Sequence, residues 1–389
     1  MLGALELRYV SQFQIYQLPL AAADAADIRR EGAALRLRRG SNLEIIAGGK
    51  EAPVALLPHL LVPGNVDPQS EFLARMNSLA CVQQFGWMEG CVLDGLLDLA
   101  ALPQYVWLKA AAQRHLNLFF KDNQLAYENH LSAPSDGKLY GIEGGLPFAA
   151  LARIAPEHPL HELALTFWHS RKRPTGLIQD NLHLSSEGAY TIGYALAEIA
   201  RARRSEDLMQ LALTQIRLRQ PALFDGREFW RTRDDEGRRT NRNWARGIAW
   251  QMLGMARTLA VARDRADIAD LVTALQQMAA WIIPQQRPDG LWSVFTDEPA
   301  LTPDTAGSAG IAAALALGAK YGWLDANARA AASGTMTGLL KHLTPDGLLG
   351  GVSQSNKGGE ALQRSSYRSI YQMGMGLMAQ LWAALSAGK

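Results

Sequence analysis

The chain has 389 residues, 48% of them hydrophobic and 20% charged, enough to bury one large core or two ordinary ones. With 39 basic against 37 acidic residues the formal charge is +2, so nothing general attracts nucleic acid or an anionic membrane, and any anion preference must be local. No apolar run of about eighteen residues suggests a membrane span, and MLGALELRYV lacks the parts of a secretory signal, so the expected compartment is the cytoplasm.

Residues 1–65 stand apart from the rest. ALELRYVSQFQIYQL alternates, and ALRLRRGSNLEIIAGG reads as two short strands around a Gly-Ser-Asn turn, so a small β-rich N-terminal arm is expected there. From DPQSEFLARM onward strand signals nearly vanish, and residues 66–389 read as one helical domain. Cys81 and Cys91 lie in it without a CxxC or a histidine cluster, which argues against a disulfide framework or a zinc site; both are expected in the core. Neither a metal nor an organic cofactor is called for.

Two kinds of helix alternate along this domain. Amphipathic ones with charged faces are expected over roughly 67–83, 104–120, 157–172, 204–219, 264–283 and 322–343. Between them come stretches rich in Gly, Ala, Ser and Met: EGCVLDGLLDLAAL, EGGLPFAALARI, EGAYTIGYALAEIA, WARGIAWQMLGMARTLAVA, DTAGSAGIAAALALGA and SSYRSIYQMGMGLMAQLWAAL. Their starts, near Glu89, Glu143, Glu187, Arg246, Asp304 and Tyr367, recur every 44 to 63 residues, a repeat of supersecondary units. A helix apolar all round must be buried, whereas one with a charged face can lie outside. Six inner and six outer helices predict an all-α fold, an (α/α)6 barrel of six hairpins, with an open solenoid as the structural alternative.

In such a ring the loops before the inner helices open on one end, so their first turns converge on a funnel. GWMEG brings Trp87 and Glu89 there, GIEGG brings Glu143, and SSEGAY brings Glu187 and Tyr190, with His183 close by on the rim. NRNWARGIAW adds Trp244, Arg246 and Trp250, PDTAGS adds Asp304, and QRSSYRS adds Tyr367.

Any one of these acids is explained as well by the helix dipole, which favours negative charge in a first turn. That account covers neither the tryptophans and arginine beside the acids nor three separate Glu-Gly steps. Aromatic rings, carboxylates and an arginine around one cavity suit a sugar, because apolar ring faces stack on Trp, hydroxyls bond to acids and an anionic sugar pairs with Arg. GREFWRTRDDEGRRTNRNWARG carries seven arginines from Arg227 to Arg246; all but Arg242 and Arg246 are read as a solvated charged loop. Of two carboxyls in one funnel, burial and the neighbouring charge favour a proton on one, which can then act as general acid. Glu143 and Glu187, which open consecutive inner helices, are the natural pair.

QQRPDGLWSVFTDEPALTPDTAGSAGIAAALALG and NWARGIAWQMLGMARTL, with EGAYTIGYALAEIA upstream, resemble the unsaturated glucuronyl and rhamnogalacturonyl hydrolases of glycoside hydrolase families 88 and 105. The resemblance spans roughly 85–389, is strongest over 240–320, and implies the same barrel. It also implies removal of a non-reducing-end 4,5-unsaturated uronic acid from lyase-generated oligosaccharides. In that chemistry an acid protonates C4, water adds at C5, and the hemiketal opens and expels the neighbouring sugar.

By that resemblance Glu187 occupies the place of the family's general acid/base aspartate and Glu143 that of its partner aspartate; both are one methylene longer here. Trp87, Trp244, Arg246 and Trp250 would line the uronate subsite, Arg246 facing the carboxylate. A glycosidase of the same barrel acting on saturated uronides, and a noncatalytic carbohydrate-binding protein, are the alternatives. The partner expected is an acidic oligosaccharide, not nucleic acid or membrane. The arm, which has no counterpart in the family pattern, is expected to cover the funnel or to form a homodimer contact.

Overall fold

The computed structural model describes residues 2–40, 42, 45, 57–61, 66–126, 137–179, 183–264 and 268–387. Its α-helices in chain order are α1 Ala22–Glu31, α2 Pro68–Met76, α3 Trp87–Ala100, α4 Leu108–Phe119, α5 Pro147–Ile154, α6 His161–Ser170, α7 Ala195–Arg203, α8 Glu206–Leu223, α9 Ala245–Ala262, α10 Ala269–Ile282, α11 Thr305–Lys320, α12 Ala326–Leu340, α13 Glu360–Arg364 and α14 Met373–Ser386. A π-helical turn, Ala189–Tyr194, leads directly into α7, and a 3-10 turn, Ile142–Gly145, precedes α5.

The charge pattern sorts these helices into two rings. In α9 and α11 nearly every residue is buried, on all faces, because few of them carry charge and many are Ala, Gly or Met. α3, α5, α7, α9, α11 and α14 form the inner ring, each packing on the next, and α14 closes it by packing on α3. α2, α4, α6, α8, α10 and α12 lie outside. The closed barrel is therefore observed, not the open solenoid.

Closure depends on backbone reaching backbone. A Cβ on Gly376 of α14 would run into the Cys91 carbonyl of α3, and one on Gly95 of α3 would stand 2.5 Å from the Gly376 carbonyl. Only glycine permits that approach. Gln380 spans the same seam, its Nε2 donating to the Cys91 carbonyl at 3.1 Å.

Strands are few. β1 Phe120–Lys121 and β2 Gln124–Leu125 form one hairpin, and β3 His183–Ser185, β4 Trp230–Asp234 and β5 Arg239–Arg242 form an antiparallel sheet in the order β3-β4-β5. Asp234 shapes the β4–β5 turn by accepting the Glu236 and Arg238 amides at 3.0 and 2.8 Å. This sheet stands over the barrel end where the inner helices begin, with Ser185 of β3 two residues before Glu187.

The N-terminal region departs from expectation. No strand occurs among the described residues of the first 65, and AADAADIRRE forms α1 instead, an Ala-rich segment with Asp24 in its first turn and Arg29 and Arg30 in its last. The alternating stretch before it finds no partner strand. Tyr9 and Phe13 have φ of 51° and 62°, which breaks an extended run, and the segment lies as an irregular strap against the sixth hairpin. Of ALRLRRGSNLEIIAGG, the described first half is unpaired coil, and most of the second half lies outside the described residues. Among the described residues no helix is long and apolar enough to cross a membrane.

Candidate active site

The starts of the first three inner helices meet at one place. The carbonyl of Glu143 would stand 3.3 Å from a Cβ on Gly86, the residue before Trp87, whose φ of 125° suits glycine. The turn that carries Glu143 also packs on the π-helical turn after Glu187, since a Cβ on Gly145 would stand 2.6 Å from the Thr191 carbonyl. Trp87, Glu143 and Glu187 thus open neighbouring inner segments on one face of the ring.

Glu187 is almost buried, and its surroundings are cationic. Arg231 on β4 donates from Nε to Glu187 Oε1 at 2.6 Å, and Ser186 Oγ donates to Oε2 at 3.3 Å. β3–β4 pairing sets this contact: the Ser186 amide donates to the Arg231 carbonyl at 2.9 Å, so the strand delivers its side chain to the carboxylate. Beneath lies Arg219, fully buried against Gly188, which donates to the carbonyls of Ser185, Ile178 and Gln215. Burial pushes the Arg219 guanidinium down to about 9, with the charge of Glu187 opposing that shift, so it stays charged at neutral pH.

An aromatic floor adjoins the two carboxyls. Trp250 sits between Trp87, met edge-on at 5.1 Å, and Tyr190, stacked at 6.1 Å with 19° between planes. Trp87 is the partly exposed ring of the three. Tyr190 is anchored from below, its hydroxyl donating to Asp94 Oδ2 at 2.6 Å. Asp94 belongs to a layer with Asp98, Arg153, Arg257 and Tyr194 that ties α3, α5, α9 and the π-helical turn before α7 together. Burial raises the Asp94 pKa against the pull of Arg257 and Arg153, whereas for Asp98 those two guanidiniums outweigh burial and lower it. The two arginines balance the two acids across the barrel axis.

Trp244 and Arg246 form the far wall. Arg246 lies 4.9 Å from the Trp244 ring centroid, and Trp244 Nε1 donates to Gln363 at 3.2 Å. Arg246 does not stand free for a substrate carboxylate. Its Nε pairs with Asp304 at 3.1 Å, and its Nη2 donates to Ser353 Oγ at 2.7 Å and to the Gln354 carbonyl at 2.6 Å.

Three expected contacts are corrected by this geometry. Glu89 points away from the funnel, wholly buried, accepting the Gln83 amide at 2.7 Å and pairing with His115 of α4 at 2.7 Å. Asp304 is spent on capping α11, on Arg246 and on Ser353, again fully buried. Tyr367 holds the strap, its hydroxyl donating to the Glu6 carbonyl at 3.0 Å and accepting from the Arg8 amide at 3.2 Å. His183 is exposed on β3, opposite Asp234.

Two further residues reach the site. Arg231, which the sequence assigns to a solvated loop, is the guanidinium on Glu187, while Arg242 is paired with Glu228 and Asp297. The alternation in FWRTRD was the available signal, since neighbours on a strand face opposite ways; Trp230 lines a cleft of about 390 Å³ with Arg239, Arg242 and Phe295 on the other face. The second is Tyr371, four residues beyond Tyr367, whose hydroxyl meets Sδ of Met88, the residue after Trp87, at 2.8 Å. Among the described residues no group of three or more His, Cys, Asp or Glu is placed to hold a metal ion.

The sequence pattern of Glycosyl Hydrolase Family 88 matches residues 70–386, so the chain belongs to that family and is a glycoside hydrolase. No curated protein matches it significantly over its sequence. Among solved structures it is similar to a possible member of the GH105 family from Salmonella enterica serovar Paratyphi A, at 15% identity and TM-score 0.68, covering 87% of this chain and 98% of that one. The unsaturated glucuronyl hydrolase of Bacillus sp. GL1, responsible for the degradation of glycosaminoglycan, superposes at 17% identity and TM-score 0.55, over 78% of this chain and 85% of that one. A glycosyl hydrolase of family 88 from Bacteroides vulgatus matches at 15% identity and TM-score 0.62, over 83% and 99% of the two chains. At such identities these likenesses establish the helical barrel.

Proposed function

We propose that the protein removes a 4,5-unsaturated uronic acid from the non-reducing end of an oligosaccharide, with Glu187 as general acid and Glu143 as its carboxylate partner. The observation that carries this reading is the Glu187–Arg231 contact beside Glu143 and the aromatic floor. A planar guanidinium on a rim strand suits a uronate carboxylate, which it can grip in a bidentate pair. Similar structures include an unsaturated glucuronyl hydrolase specific for heparin and a complex with dGlcA-Glc-Rha-Glc, which supports an acidic saccharide as substrate.

The carboxylate of the incoming uronate competes with Glu187 for Arg231. Once Arg231 turns to the substrate, Glu187 Oε1 is released, takes up a proton from solvent and hands it to C4 of the alkene. Positive charge then develops at C5 and the ring oxygen, and a water, losing its proton to a carboxylate, forms the C5–O bond. The C5 hemiketal opens to a ketone, the former ring oxygen becomes the hydroxyl on C1, and the hemiacetal at C1 collapses to an aldehyde and expels the neighbouring sugar. General acid–base participation of this kind contributes about 10²–10⁴-fold. Trp87, the partly exposed ring, offers its surface to the sugar with Trp250 packed behind it, and Arg219, Trp244 and Arg246 back the site without taking a proton.

The test is a panel of lyase-generated disaccharides from pectin, glycosaminoglycan, ulvan and alginate, followed by loss of the alkene absorbance. Turnover of at least one, abolished in Glu187→Gln, is expected. A Glu187→Gln protein that turns over at the wild-type rate would remove Glu187 from the mechanism.

A further inference from the structure

The N-terminal strap touches the candidate site by two routes, joined at their start, where the Ser11 amide donates to Gln14 Oε1 at 3.1 Å. Ser11 Oγ lies 2.6 Å from the Tyr371 hydroxyl, and that phenol also meets Met88 of α3, two residues beyond Gly86, on which the Glu143 carbonyl packs. Gln14 takes the other route: its Oε1 accepts from Gln354 Nε2 at 3.1 Å, and the Gln354 carbonyl accepts from Arg246 Nη2 at 2.6 Å.

The strap is itself fixed. Gln14 Nε2 donates to Ser369 Oγ at 3.1 Å and the Ile370 carbonyl at 3.3 Å, and Gln372 Nε2 donates to the Phe13 carbonyl at 2.7 Å. Tyr16 donates to Gln14 Oε1 at 2.9 Å, and Phe13 and Ile15 pack on the core. All these partners, Ser369 to Gln372 above all, immediately precede α14, on the same end of the barrel as Glu143 and Glu187. The strap lies outside the stretch matched by the family, residues 70–386, so it is an addition to the barrel that bears on its working end.

We propose that Ser11 and Gln14 are positioning residues of the active site, Ser11 fixing the Tyr371 phenol against Met88 at the opening of α3 and Gln14 fixing the Arg246–Trp244 pair through Gln354. The strap thereby becomes part of the saccharide site, on the side of the sixth hairpin. This assignment rests on the reading of Glu143 and Glu187 as the reacting carboxyls. The two routes end in different places, and so differ in what they control. The Tyr371 route ends at Met88, where α3 opens, while the Gln14 route ends at the buried Arg246–Trp244 pair, whose Trp244 ring lies 5.9 Å from the Arg231 guanidinium.

Kinetics of Ser11→Ala, Ser11→Thr and Gln14→Ala on an unsaturated disaccharide, with Tm measured on each, test it. Ser11→Ala is expected to lower kcat roughly tenfold with KM little changed, because a small displacement at the reacting centre is costly. Ser11→Thr, which keeps the hydroxyl, restores kcat, and Gln14→Ala raises KM roughly tenfold, all three with Tm within about 2 °C of wild type. Wild-type kcat and KM in both alanine variants overturns the proposal while leaving the hydrolase reading intact. Equal impairment of Ser11→Thr and Ser11→Ala, or losses that follow a falling Tm, also overturns it. A wild-type chain that turns over no unsaturated uronide overturns the hydrolase reading and the strap assignment together.

Discussion

Arg231 Nε reaches Glu187 Oε1 at 2.6 Å from a strand that is remote in sequence but paired to the segment just before Glu187. The pair joins the candidate proton donor to the cation best placed for a substrate carboxylate. Arg231→Gln should therefore impair substrate more than fold. Losing a charged hydrogen bond of this kind costs about 1.5–3 kcal/mol, so KM for a uronide should rise roughly 10- to 100-fold, with Arg231→Lys intermediate. Steady-state kinetics on the uronide and on its carboxyl-reduced analogue check this, since the variant should lose its preference for the acid.

The two glutamates make a second prediction. Glu187→Asp and Glu143→Asp shorten each side chain by one methylene and withdraw the carboxyl by about a bond length, a displacement large enough to cost up to about 100-fold in rate. Glu187→Asp should also lengthen the contact with Arg231. Comparing kcat for both variants with a crystal structure of each would show whether rate follows carboxyl position.

His115 and Glu89 give a pH dependence of stability. Burial opposes charge on His115, but Glu89 and Cys81 outweigh it and hold its pKa well above the usual value; burial raises Glu89 against the pull of His115. Both groups bind protons more tightly in the folded state, so the sign is the same for each. The His115 contribution is complete below the unfolded value of about 6.5 and is lost as pH rises toward the folded value. Tm measured from pH 6.5 upward should fall less steeply in His115→Gln than in wild type, and an unchanged slope would refute the assignment.

Gly376 offers a purely steric test of ring closure. A methyl group there meets the Cys91 carbonyl across the α14–α3 seam, where backbone cannot yield as a side-chain tip would. Gly376→Ala should destabilise by about 1–3 kcal/mol or more, measured by chemical denaturation, whereas the same change at exposed Gly322, already φ 73° and facing open space, is strained without any clash.

The six hairpins were legible because burial all round leaves a plain mark, and α9 and α11 could not have been read as outer helices. Glu143, Glu187, Trp87, Trp250 and Tyr190 followed from their places at inner starts. Glu89 and Asp304 occupy equally suitable places in sequence, yet one turns outward to His115 and the other to Arg246, a choice of side-chain direction that helical spacing does not encode. The sequence points to Tyr367 and passes over Tyr371, because the last inner helix begins at Met373, six residues later than the start the composition suggests. The arm misled because alternation signals a strand only when another strand is there to pair with it; Ser11 and Gln14 bond to the barrel rim instead.

The central claim is that the enzyme acts on the double bond. The most direct measurement compares an unsaturated uronyl disaccharide with its saturated twin, alike in linkage and neighbouring sugar, in one assay that follows alkene absorbance and released sugar together. Loss of one alkene for each sugar released, with the saturated twin untouched, is the predicted result. Cleavage of the saturated twin at a comparable rate would contradict it.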